Sequence, residues 1–168
     1  TSAHLAKKMT DNPIYVLGSS SATDFLTYPS REDLTGFSAT RNAMKKTLKM
    51  ANLSPSDIQL AEIYDQSTIM ELISFEDLGF CEKGTAWKCI RGSCEYYDGY
   101  YETNGKKIFV NMNGGLKADG NPIGATGGAQ IFEVFKQLRN EANERQVIIN
   151  DKPPKIGCIQ EFEGFGTK

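Results

Sequence analysis

Six glycines fall within residues 114–130, GGLKADGNPIGATGGAQ, around a single Asn121-Pro122 pair, and the stretch runs into a helical pattern. A loop of this kind delivers backbone N–H groups to the start of a helix, a place that suits an anion or a developing oxyanion. No Lys-Ser or Lys-Thr follows, so it is not a P-loop, and the glycine spacing is not that of a dinucleotide fingerprint. On chemistry alone two readings stay open, a structural helix entry and a ligand loop. A second group, Glu62, Tyr64, Asp65 and Gln66, lies at the end of a strand-like stretch, where ligands of α/β folds gather. Glu161 and Glu163 follow the last strand-like stretch. Either carboxylate pair would serve acid–base chemistry if buried together; in loops they are solvated charges. The sole histidine is His4, near the start of the chain. Catalysis by a nucleophile paired with His would require it to fold back, and we expect it at the surface.

The four cysteines, Cys81, Cys89, Cys94 and Cys158, are scattered. Their spacing and the lack of a secretory leader pattern fit free thiols in a reducing, cytoplasmic setting better than a disulfide scaffold. Cys81, Cys89 and Cys94 could supply three zinc ligands, but the four-residue gap and the missing histidine argue for free thiols and no metal. With 168 residues and a net charge of −2, the chain has room for one core and no electrostatic bias toward nucleic acid or an acidic membrane. No apolar run is long enough to span a bilayer. The chain does not begin with Met, which we read as a piece of something longer or a processed product.

The elements that must position these residues follow from periodicity. Residues 14–18, IYVLG, read as a short buried strand. From Ser38 the pattern turns helical, with Ala43, Met44, Thr47, Leu48 and Ala51 on one face. Residues 60–64 form the next strand. A helix is expected over 68–78, with Ile69, Leu72 and Ile73 inward and Gly79 as its left-handed cap. Residues 80–107 are too long for an ordinary connection and read as a loop excursion packed on its own domain. Within it, Asn104-Gly105 turns a hairpin flanked by Tyr100-Tyr101 and residues 108–110. A third helix is marked by Ile131, Val134, Phe135 and Leu138, and residues 146–149 and 156–160 are two final strands. The order β-α-β-α-β-α-β-β predicts one α/β domain over residues 1–168, a mixed sheet with helices on its faces.

The segment NMNGGLKADGNPIGATGGAQIFEVFKQLR resembles the glycine-rich segment of thiolases, roughly N-P-x-G-G-x-x-x-x-G-H-P-x-G-A-T-G. AEIYDQSTIMELISFEDLGFCEKG and CIQEFEGFG are similar to the E-I-H-D-C-F-T helix entry and the closing glycine loop of the sterol-carrier-protein thiolases, also called lipid-transfer proteins, and of their archaeal acetyl-CoA acetyltransferase kin. The likeness covers most of residues 13–166, in motif order, and corresponds to the C-terminal half of such a protein. It implies C–C bond formation or cleavage next to a coenzyme A thioester, as substrate and with no covalent cofactor. It places family catalytic positions at Asn121 (in place of His), Phe162 (in place of a second Cys) and Tyr64 (the strand-corner position). It places substrate and CoA contacts at Asn111, Gly120, Pro122, Gly124 and Gly164. Gln66, Ser67 and Asp119 also depart from the family pattern. Asn can donate a hydrogen bond but cannot relay a proton near neutral pH. The resemblance therefore leaves three activities open: acyl transfer on acyl-CoA, retro-aldol cleavage of acyl-CoA side chains with Tyr64 as acid or base, and a non-catalytic acyl-CoA-binding or assembly subunit. Lipid carriage belongs to a separate domain that nothing here resembles. Implied partners are the protein's own N-terminal thiolase half, a second copy as homodimer, and a small zinc-ribbon and OB-fold protein; nucleic acid and membrane are not expected. Without the other half, this chain is expected to be inactive.

Overall fold

The computed structural model describes residues 1–90, 99–162 and 164. In chain order the elements are α1 (Ala3–Met9), α2 (Ser38–Ala51), β1 (Leu60–Ile63), α3 (Thr68–Asp77), α4 (Ala86–Cys89), β2 (Tyr100–Thr103), β3 (Lys106–Val110), α5 (Gly115–Asp119), α6 (Thr126–Arg139) and β4 (Gly157–Gln160). The four strands form one mixed sheet in the order β2-β3-β1-β4. β1 lies between two parallel neighbours, in register Leu60↔Phe109 with β3 and Leu60↔Gly157 with β4. β2 and β3 are the expected hairpin, antiparallel and closed at Asn104-Gly105, both with positive φ.

All four residues of β1 are buried, as a strand with both faces covered must be. One face carries Ala61 and Ile63 into the main core with Met44 of α2, Phe75 and Leu78 of the α3 segment, and Tyr101, Ile108 and Val110 of the hairpin. Phe75 stacks on Tyr101 with ring centroids 4.2 Å apart. The other face carries Leu60 against Val134 of α6 and Val147. The α/β layering with helices on both faces is thus as expected. The helix ends follow local chemistry: Ser67 caps α3 by accepting from the Met70 N–H, and Gly79 is left-handed just past it.

Three expectations are corrected. Residues 14–18 are not a strand: the segment has no ladder partner and leans on α2, where the Ser20 hydroxyl donates to the Ala43 carbonyl at 2.6 Å. Val16 is left 85% exposed. Residues 146–149 are not a strand either, because the Val147 N–H donates to the Gln137 side chain at 2.9 Å, so that donor is unavailable to a sheet ladder. The apolar stripe of α6 is only partly turned inward, with Val134 buried and Leu138 packed beside it. The buried residues of the helix are Thr126, Gln130, Glu133, Val134 and Gln137, while Ile131 (59%), Phe132 (57%) and Phe135 (37%) remain exposed. In α3, likewise, Ile69 points outward and Ser74, Phe75 and Asp77 inward. Asp77 is accommodated by the Phe37 N–H at 2.5 Å and by Arg41 at 2.6 Å, so its buried charge is paired.

Candidate functional site

β1 ends at Ile63, and the next residue, Tyr64, turns its phenol toward the glycine-rich segment. The Tyr64 N–H donates to both the Gln160 carbonyl (3.1 Å) and the Gln160 side chain (3.2 Å), which anchors Tyr64 to the end of β4. The Asn121 amide Nδ2 donates to Tyr64 Oη at 3.1 Å. Asn121 Oδ1 accepts from the Ile123 N–H at 3.2 Å and from Thr126 Oγ1 at 3.0 Å. A backbone N–H can only donate, so the Ile123 bond fixes which amide atom is oxygen and leaves the NH2 facing the phenol. With Asn121 as donor, the hydrogen of the Tyr64 phenol is free for another acceptor. Phe162 closes one side of Tyr64, edge-on with centroids 5.9 Å apart, and itself meets Phe37 at 4.5 Å. The structure therefore brings Tyr64, Asn121 and Phe162 together from three separate sequence stretches.

The turn around Asn121 is an open surface: residues 119–125 are all exposed. Ile123 has a φ of 51°, a strained value for a β-branched residue, and is held there by its bond to Asn121. Gly120 and Gly124 have no atoms near where a side chain would sit, and Pro122 lies between them on the exposed turn. Gly164 is left-handed and exposed. Asn111 stands apart from this group. Its side chain accepts from the Ile63 N–H at 2.8 Å and reaches Glu71 at 3.5 Å, stitching β3 to β1 beneath a cavity of about 400 Å³.

The glycines of the segment divide by their surroundings. A Cβ on Gly115 would collide with the Asp65 carboxylate, whose Oδ1 accepts from the Leu116 N–H at 2.8 Å. A Cβ on Gly127 would collide with Glu161, whose carboxylate lies over the first turn of α6, where the helix dipole favours it. So two of the carboxylates singled out from sequence latch the ends of the glycine segment. The third, Glu62, is fully buried. Burial, followed by the nearby charges of Glu133, Asp119 and Asp65, pushes its pKa up to about 8. Glu163 and Cys94 lie outside the described residues. Asp119 accepts from Asn113 Nδ2 at 2.5 Å. His4 is exposed on α1, and Gln66 is exposed beside Tyr64.

The thiols are poorly placed for nucleophilic work. Burial pushes Cys158 and Cys81 up to about 12, and Cys89 Sγ is turned to the Thr85 carbonyl at 3.7 Å. Among the described residues no group of His, Cys, Asp and Glu is arranged to hold a metal ion. No helix among them is long and apolar enough to cross a membrane. Sequence reasoning missed Thr126, the donor behind Asn121, and the glutamines Gln130 and Gln160 that hold the end of β4. Their signal was available: polar residues at helical spacing on what becomes the buried side of α6.

Comparison with known proteins gives concordant results. The Thiolase C-terminal domain-like family profile matches residues 20–160. An acetyl-CoA acetyltransferase of Methanothermobacter thermautotrophicus is 45% identical over 164 residues, covering 98% of this chain and 40% of the relative. Sterol carrier protein 2 of Gallus gallus is 35% identical over 146 residues, 83% of this chain and 25% of the relative. Among solved structures, the Ltp2-ChsH2(DUF35) aldolase matches with a TM-score of 0.60 and 25% identity, over 78% of this chain and 33% of that one. The chain thus spans two fifths or less of the length of these relatives. With most of its length matched by the family profile and by close sequence relatives, the chain belongs to the thiolase C-terminal domain-like family.

Proposed function

We propose that this chain is the C-terminal half of a cytoplasmic thiolase-like enzyme that cleaves a carbon–carbon bond next to a coenzyme A thioester by a retro-aldol reaction. The observation that carries the reading is the Asn121-to-Tyr64 hydrogen bond, which leaves the phenol hydrogen free at the position where the family pattern has its catalytic turn. In a 3-hydroxyacyl thioester the 3-hydroxyl loses its proton as C3 becomes a carbonyl. The C2–C3 bond breaks, its electron pair enters the thioester as an enolate, and C2 takes up a proton. One proton leaves O3 and one arrives at C2, so a single phenol can serve as relay. Tyr64 fills that role and Asn121 holds it, with Gly120, Pro122, Gly124 and Gly164 as the backbone along which the thioester lies and Phe162 excluding water. The Ltp2-ChsH2(DUF35) neighbour, an aldolase by name and an assembly of two components, supports both the reaction class and a second subunit.

The exposed apolar face of α6 and the open turn at Asn121 support a site completed by the N-terminal half, within a homodimer. A second reading, acyl transfer to coenzyme A, is favoured by the relative named acetyl-CoA acetyltransferase. The two separate in one assay. The full-length protein is supplied with a 3-hydroxyacyl-CoA, and in parallel with a 3-ketoacyl-CoA plus free CoA. Retro-aldol chemistry releases an aldehyde or ketone from the first and nothing from the second. Tyr64→Phe is expected to lower kcat by about 10²–10⁴-fold. An unchanged rate in that variant refutes the role given to Tyr64.

A further inference from the structure

The face of β1 turned to α6 is lined with buried polar side chains. Thr126, Gln130, Glu133 and Gln137 follow one another down the helix at helical spacing, and Glu62 meets them from the sheet. Most of this set is paired. Glu133 takes Arg145 at 2.8 Å and the Gln137 amide at 3.0 Å, and Gln130 Nε2 donates to the Gln160 carbonyl at 3.2 Å. Among the described residues four buried side-chain atoms lack a partner: Glu62 Oε1, Gln130 Oε1, the Gln160 Nε2 donor and, on the other side of the sheet, Ser74 Oγ. The Glu62 and Gln130 side chains border one small void of about 10 Å³, together with Asp119, Gly120 and Thr126. That volume is at the lower limit for a single water. Two unpartnered acceptors on one void gain a hydrogen bond if one of them carries a hydrogen, and of these two the carboxyl of Glu62 can carry it, when protonated.

Most of the charges around Glu62 point the same way, the exception being the Arg145 guanidinium, whose field also reaches it. Glu133 faces it from α6, Asp119 from the end of α5 and Asp65 from the segment after β1, all acidic. The Arg145 guanidinium is engaged by Glu133, and the donor that reaches Glu62 is the Met112 N–H. An ionised Glu62 would sit fully buried among three other carboxylates with one backbone donor. A neutral Glu62 has a proton for Gln130.

We propose that Glu62 is a positioning residue: as a neutral acid it donates to Gln130 and so holds Tyr64 and Asn121 in reacting register. The route is short. Gln130 grips the Gln160 carbonyl, the same oxygen that receives the Tyr64 N–H. One turn earlier on the same helix, Thr126 grips Asn121. The lock therefore fixes both partners of the Asn121–Tyr64 bond. The inference rests on the reading of Tyr64 as the reacting phenol. Its consequence is an alkaline limit to activity set by Glu62, because ionisation replaces a donor with a repulsive charge.

The test uses the full-length protein and the 3-hydroxyacyl-CoA assay. From pH 7 to pH 9 the wild-type kcat is expected to fall roughly tenfold, the loss of protonated form for a group titrating near 8. Glu62→Gln carries a permanent donor and flattens that limb to about twofold or less, while Glu62→Ala lowers kcat at pH 7 and leaves no donor to rescue it. Infrared spectroscopy gives a readout independent of turnover: a protonated carboxyl carbonyl band at pH 7, lost on going to pH 9 and absent in Glu62→Gln. An alkaline limb unchanged in Glu62→Gln, or no protonated carboxyl band, overturns the proposal. If the band behaves as expected but Tyr64→Phe turns over normally, the neutral acid stands and it is its link to Tyr64, with the catalytic reading, that fails.

Discussion

Phe132 offers a sharp test of whether the apolar face of α6 is covered in the complete protein. In the structure its ring is 57% exposed, between Ile131 at 59% and Phe135 at 37%, with the Lys136 ammonium 4.4 Å from the ring centre. If that face stays in water, Phe132→Ala removes somewhat under half of a Phe burial, about 1 kcal/mol, plus about 0.5 kcal/mol for the cation over an exposed ring. If another part of the protein covers the face, the same change opens a cavity in a packed interface and costs about 3–5 kcal/mol. The two outcomes differ by more than the usual scatter of such measurements. Urea unfolding of the full-length protein and the variant, followed by tryptophan fluorescence and circular dichroism together, separates them. A loss near 1.5 kcal/mol refutes the covered face, and with it the argument that the exposed apolar flank of α6 marks the seat of a missing half.

Three further predictions concern stability. Glu62 has a folded pKa raised from an ordinary 4.5 to about 8, so its contribution is fully present below pH 4.5 and lost as the pH rises through 8. Between those values Glu62→Gln should remove an alkaline slope of about 1.4 kcal/mol per pH unit, visible as a gain in melting temperature at pH 8 relative to wild type; an equal melting temperature at pH 8 contradicts it. Asp77→Ala strips the Phe37 N–H and Arg41 of their shared acceptor and should cost about 2 kcal/mol in denaturant titration, with no loss indicating that water replaces the carboxylate. Gly157→Ala would place a methyl 2.6 Å from Val134 Cγ1, forcing β4 and α6 apart at a cost of about 1–3 kcal/mol, and a neutral result would mean the helix can slide.

The elements that sequence revealed best are those specified by local signals. Asn104-Gly105 announced the hairpin and Ser67 with Gly79 bracketed α3, because turns and caps depend on residues within a few positions. The grouping of Tyr64, Asn121 and Phe162 was legible only through the motif order that the chain shares with a family, since nothing local says that residues 57 or 98 positions apart meet. Residues 14–18 and 146–149 misled for one reason: a run of Val, Ile and Leu says that a segment is extended, but a strand also needs a partner, and the Gln137 side chain took the donor of Val147. In α6 the apolar stripe is only half inside: Val134 and Leu138 pack on the core while Ile131 and Phe135 do not. Periodicity gives the two faces of a helix without saying which one this domain will cover, and here Thr126, Gln130 and Gln137 are buried on bonds to Asn121, the Gln160 carbonyl, Glu133 and the Arg145 carbonyl.

The central place of β1 also bears on how the chain is made. Every residue of this strand is paired with β4, whose far end lies 96 positions downstream, as the Tyr64–Gln160 contact shows. At ordinary translation speeds that distance takes roughly 5–20 s to synthesise. For that interval the newly emerged Leu60-Ala61-Glu62-Ile63 run carries an unsatisfied edge and a buried-type surface with nothing to close it. Refolding from denaturant should therefore be slow compared with helical domains of the same length.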